Sequence, residues 1–265
     1  MFLSLRARFF LHGQIDFKRI KILRISPVNT VKATVKVIFI VLFVLLFTKT
    51  DYAQNGQIWL DADVYPSFGV NWDYQVEAGY RKYLVDDGWT RYHLRNVITY
   101  KRLSWMLYAG ALDLFYTNEN VTTNYLEVRP WIQVTARWMT AGKYLNLFRP
   151  YFSIRLERRF FRYTDESTDQ KTRLRFRFGG RFTLNNDFMR VRTWYVPFRF
   201  EIFLNVGGEA QEVTADQNRL TVGIGYIFNS ASRAEFNLTA QNSENTISFS
   251  SSTDLIFHFT FRQYL

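Results

Sequence analysis

An alternation of period two runs through nearly all of residues 57–264 and limits the folds open to this chain. In 219–228, Leu220, Val222, Ile224, Tyr226 and Phe228 alternate with Arg219, Thr221, Gly223, Gly225 and Ile227. Successive side chains of a strand point to opposite faces, so this stretch has one apolar face and one small or polar face. The pattern recurs in Leu174, Phe176, Phe178 and Phe182 against Arg173, Arg175, Arg177 and Arg181, and in Phe257, Phe259 and Phe261 against His258, Thr260 and Arg262. Eleven segments carry it: 57–65, 70–83, 89–100, 105–116, 125–138, 148–163, 173–184, 191–206, 219–228, 233–242 and 254–264.

Most of these segments have 10 to 16 residues. Strands of globular domains cluster near about five or six residues, whereas a tilted strand crossing a bilayer needs about nine to eleven. The apolar face carries large aromatics, and one soluble core could hardly pack so many, since residues 54–265 hold 19 Phe, 15 Tyr and 7 Trp. Lipid on that face, with the Arg-rich face turned inward, accommodates both. Tyr and Trp also gather near segment ends (Trp59, Tyr92, Trp105, Tyr116, Tyr125, Trp138 and Trp194), as interfacial girdles require. The expected fold is all-β, an antiparallel transmembrane β-barrel over 54–265. Bacterial single-chain barrels have even strand numbers, and outward alternation of the connections leaves 57–65 on the wrong side. Ten strands are therefore expected, with 57–65 not spanning, or twelve with one strand overlooked.

Residues 1–53 are expected to form a leader. Val37–Phe47 is an uncharged apolar run of eleven residues, preceded by Lys32 and Lys36 and followed by Lys49. It is too short for a membrane helix, which needs about twenty residues. A basic stretch, a short apolar core and a small exit residue describe a secretory signal peptide, with cleavage expected between Ala53 and Gln54. Residues 1–30 are long for such a leader and suggest a later start, near Val31. The expected location is the outer membrane of a Gram-negative bacterium. The expected partners are its lipids and, during biogenesis, the barrel-assembly machinery.

Composition removes several classes. The chain has no Cys, which excludes disulfide scaffolds and thiolate metal sites. Charged residues make up 22%, too few for a disordered chain with this aromatic content. The net charge of +11 suggests nucleic acid, but residues 1–53 hold nine basic and two acidic residues, leaving the rest with 25 and 21. Nucleic acid is therefore not expected as a partner. Oligomeric state has no sequence signature here.

Several strings together resemble a known family. They are Gln57-Ile58-Trp59-Leu60, Arg155-Leu156-Glu157-Arg158-Arg159-Phe160, Glu201-Ile202-Phe203-Leu204-Asn205 and Asp216-Gln217-Asn218-Arg219-Leu220, followed by Gly223-Ile224-Gly225-Tyr226. Their order is similar to the outer-membrane β-barrel family catalogued as domain of unknown function 2490, of Bacteroidetes type. The resemblance implies a secreted barrel and no particular activity. One departure is the terminal Leu265, where barrel-assembly signals usually end on an aromatic residue.

By alternation, seventeen basic and nine acidic side chains face the lumen. Arg129, Arg155, Glu157, Arg175, Arg177, Arg199, Glu201, Arg219 and Glu235 are the candidates for a lumen network or a pore lining. Buried charges must be paired or solvated, so Arg forks on the glutamates would fill a narrow barrel. A water-filled lumen with the same lining would favour anions. The function expected is structural or transport-related, with a small anion-preferring pore as one alternative. A lipid-modifying hydrolase is the other. It would pair a His with a Ser two residues on, and only His258 with Thr260 comes near. No catalytic residue, metal site or cofactor is assigned. The acidic loop around Asp165, Glu166 and Asp169 is read as solvated surface.

Overall fold

A computed structural model of the protein describes residues 55–66, 69–84, 88–119, 124–138, 148–206, 214–245 and 250–265. The expected leader and the Ala53–Gln54 cleavage position lie outside the described residues. Eleven strands follow in order: β1 (Asn55–Tyr65), β2 (Trp72–Tyr83), β3 (Thr90–Leu103), β4 (Met106–Asn118), β5 (Asn124–Arg137), β6 (Tyr151–Tyr163), β7 (Thr168–Thr183), β8 (Trp194–Val206), β9 (Thr214–Ile227), β10 (Ser232–Asn245) and β11 (Ser250–Tyr264). Each pairs with its sequence neighbours, and β1 closes on β11 to form one barrel.

The closure corrects two expectations. The strand number is eleven, not ten or twelve, because the 57–65 segment is a full member of the wall. It pairs antiparallel with β2, from Gln57↔Tyr83 to Val64↔Val76, and parallel with β11, from Asn55↔Asp254 to Tyr65↔Tyr264. The barrel is therefore mixed rather than wholly antiparallel. The reason is geometric. Strands joined by successive hairpins alternate in direction, so with an odd number the first and last point the same way and can close only in parallel. Closure still satisfies the backbone groups that a free edge would leave unpaired.

Alternation sorts the side chains as the sequence predicts. Outward positions include Leu60, Leu94, Ile132, Phe160, Phe178, Phe200, Ile224, Phe236 and Phe259, all exposed. Between them, larger neighbours close over small residues of the wall: Val196, Val222 and Leu238 are buried beneath Phe182, Phe198 and Phe257. Inward positions form the core. Phe115, Tyr195, Phe203 and Ile256 are wholly buried there, beside Asp113, Glu127 and Glu157. Two aromatics expected at the girdle, Trp59 and Tyr125, face inward and are buried.

The stagger is large. A row of paired residues that leaves β7 at Asp169 passes Phe161, Glu127, Phe115, His93, Gly79, Asp61, Thr260, Glu235, Gly225 and Tyr195, and returns to β7 at Thr183. Such shear tilts the strands and widens the barrel. At the rim where β1 begins, polar hairpins prolong the wall beyond the apolar alternation. β10 and β11 pair as far as Asn245↔Ser250, within a stretch expected as loop. β7 likewise starts at Thr168, five residues before its alternation. At the turn between β6 and β7, Asp165 accepts hydrogen bonds from the Ser167 amide and hydroxyl. These hold its carboxyl below the ordinary carboxylate range. Length does not separate the rims. The connections 104–105 and 228–231 are short, but 138–150 and 184–193 lie at the same end.

Candidate functional site

The interior is an Arg–carboxylate network built by register. Glu157 on β6 stands opposite Arg173 on β7, and Arg177 on β7 stands opposite Glu201 on β8, which itself faces Arg219 on β9. Arg173 Nη2 donates to Glu157 Oε2 at 2.7 Å, and its Nε donates to the same oxygen at 3.0 Å. Glu201 Oε1 accepts from Arg175 Nη2 and Arg177 Nε, each at 2.5 Å. Arg155 lies 3.5 Å from Glu157 and stacks with its Cζ 3.6 Å from the Trp131 ring centre. A guanidinium lying flat on an aromatic face gains a cation–π attraction while its edge keeps its hydrogen bonds.

The same device repeats around the wall. Glu127 Oε1 accepts from Arg129 Nε at 2.8 Å and Arg159 Nε at 2.7 Å, while Arg129 sits 4.3 Å over Phe115. Glu235 Oε1 accepts from Tyr195 Oη at 2.7 Å and from Arg262 Nη1, and Arg262 Nε donates to Asp63 at 2.7 Å. Gly225 makes room for this group, because a Cβ there would lie 2.3 Å from the Tyr195 ring. Eight of the nine lumen candidates thus fall into hydrogen-bonded clusters, with Arg219 held by Gln241 and Gln217 rather than by a carboxylate. Arg199 is the exception: its Nε is buried without a hydrogen-bond partner.

The family described as "Protein of unknown function (DUF2490)" matches the chain over residues 56–250, from the start of β1 to the first residue of β11. The chain belongs to the DUF2490 family. No curated protein matches it. In this DUF2490 barrel, most of β11, the parallel partner of β1, lies beyond the matched stretch.

Both described histidines of the DUF2490 barrel meet Asp61. His258 Nε2 lies 2.7 Å from Asp61 Oδ2, and Thr260 Oγ1 lies 3.1 Å from the same Nε2. A relay of the Ser-His-Asp kind needs the acid on one ring nitrogen and the hydroxyl on the other. Here both partners crowd one nitrogen, so the arrangement does not activate Thr260. On the other side, His93 Nε2 lies 2.9 Å from Glu77 Oε1 and 3.7 Å from Asp61 Oδ1. The three side chains converge because Gly79 separates Asp61 from His93 in the register, and a Cβ there would lie 2.1 Å from His93 Cε1.

Asp61, Glu77 and His93 bring three ligand-type atoms within 4.8 Å of one another. No motif in the sequence marks this group, since each member comes from a different strand. A divalent cation fits it poorly. Arg95 Nη1 already donates to Glu77 Oε1 at 2.7 Å, and Arg81 acts electrostatically on Asp61. These guanidiniums supply the positive charge that a cation would bring.

Asp254 shares the parity of Ile256 and is likewise buried, accepting from Gln57 Nε2 at 2.9 Å. At the opposite rim, Asn71, Lys101, Arg102, Ser104 and Arg137 help line a cavity of about 250 Å³, where Lys101 pairs with Asp73 at 2.6 Å.

Proposed function

We propose that this protein is an integral outer-membrane barrel with a structural or transport-related role, its lumen filled by Arg–Glu pairing. The carrying observation is the inversion of polarity across the wall. Leucine, isoleucine and phenylalanine stand exposed outside, while Glu127 and Glu157 have no exposure inside. A soluble protein rarely leaves so continuous an apolar belt to water, and lipid removes that cost. Export by the leader, insertion by the barrel-assembly machinery and contact with outer-membrane lipids belong to the same reading. The test is fractionation of bacteria expressing the full chain. The protein should stay with outer membranes through a urea wash, and recovery from the soluble periplasm would overturn the reading.

One observation favours a second reading, a small anion-preferring pore: arginines outnumber the carboxylates they face. Planar-bilayer recording of the refolded barrel separates the two. The filled lumen gives no steady conductance, and the pore gives an anion-selective one.

A further inference from the structure

Around Glu157 and Glu201, six arginines of β6 to β9 project into the lumen: Arg155, Arg173, Arg175, Arg177, Arg199 and Arg219. Two carboxylates cannot neutralise them. Arg155 and Arg175 stand directly opposite each other, a pairing that like charges disfavour. Arg199 and Arg219 have no carboxylate within 4.0 Å among the described residues. Three of the six converge on one ring: the Cζ atoms of Arg173, Arg175 and Arg219 lie 4.6, 4.9 and 4.8 Å from the centre of Phe203, which is wholly buried. An aromatic face attracts cations, but it carries no net charge and does not balance them. Buried uncompensated guanidinium is costly. Yet Arg175 and Arg177 keep 11% and 18% of their side-chain exposure, so the band is not wholly sealed.

We propose that this band binds one soluble oxyanion of the phosphate class in mid-lumen, held chiefly by Arg199 and Arg219, diagonal neighbours across β8 and β9. A tetrahedral dianion suits donors that arrive from different strands, because its oxygens point in different directions, and Arg forks match phosphate oxygens two at a time. Lipid phosphates lie outside the wall and are not the source. The inference rests on the arginine surplus that also motivates the pore, but it needs no through path.

The test is calorimetric titration of the detergent-refolded full chain with inorganic phosphate, against sodium chloride at equal ionic strength. Wild type should show saturable binding of about one phosphate per barrel, with a raised thermal midpoint. Arg219→Gln removes no ion pair and should weaken binding by about 10-fold or more, the worth of one charge-assisted fork. Arg199→Gln should do the same, and Arg192→Gln, in the connection at the rim, should not. Phosphate heats no larger than those of chloride would overturn the proposal, as would wild-type affinity in both Arg199→Gln and Arg219→Gln. Bilayer conductance is read separately. Phosphate binding without current sinks only the pore, and current without saturable phosphate binding sinks only this site.

Discussion

Glu157 and Arg173 face each other across β6 and β7, and the carboxylate, with no exposure, takes two hydrogen bonds from one guanidinium. Burial makes each partner dependent on the other. Glu157→Gln leaves Arg173 and Arg155 short of counter-charge and should destabilise the barrel by about 3–5 kcal/mol. A urea titration in detergent measures it. A loss of about 1 kcal/mol or less, as for hydrated pairs, would mean a wet lumen.

The outer face should be as intolerant of charge as the lumen is of its loss. Ile224 is 40% exposed at an outward position of β9. Ile224→Arg should cost about 2–4 kcal/mol if that position sits near the bilayer midplane. Refolding into lipid vesicles reads the cost. Equal tolerance of Arg and Ile there would argue that water, not lipid, covers this face.

Parallel closure gives a test with no background, because the chain has no cysteine. Leu60 and Phe259 are Cα partners across β1 and β11, and both are exposed. Adjacent strands run about 4.8 Å apart, within the roughly 4.4–6.8 Å that a disulfide spans. Leu60→Cys with Phe259→Cys should therefore cross-link on oxidation, seen as a mobility shift reversed by reductant. A ten-stranded barrel closing β2 on β11 would give no such product.

Gly79 should resist replacement despite sitting in a strand, where glycine is ordinarily a weakness. In Gly79→Ala the new Cβ would meet His93 Cε1 at 2.1 Å and Asp61 Oδ1 at 2.2 Å. Overpacking of this kind costs about 1–3 kcal/mol. His93→Ala in the same chain should recover part of that loss. Purely additive effects in the double variant would show that the two sites do not touch.

Much of this architecture is legible in the chain because alternation is a local property. The inward arginines and glutamates, the outward phenylalanines and all eleven segments follow from residues two apart. What alternation cannot supply is the partner strand. That Asp61 reaches His93 over Gly79, or that three guanidiniums share Phe203, depends on register between distant segments. Trp59 sits near a strand end, as a girdle residue would, but its parity puts it under Arg81, with the Cζ at 4.1 Å. The strand number is a different case. The even-number rule of other barrels argues against 57–65, although that segment displays the same period-two run as the other ten.

The parallel pairing of β1 and β11 also decides where the polypeptide enters and leaves the wall. An even meander returns its two ends to one side. Here Asn55 opens β1 beside Asp254 at one rim, and Tyr264 closes β11 at the other, its ring stacked 4.7 Å from that of Tyr65. The chain thus comes in at one mouth and goes out at the opposite one. In a bilayer, the two termini of the barrel would address different compartments. A protease site placed just before Asn55 and another placed after Leu265 would then be cut from opposite faces of that bilayer.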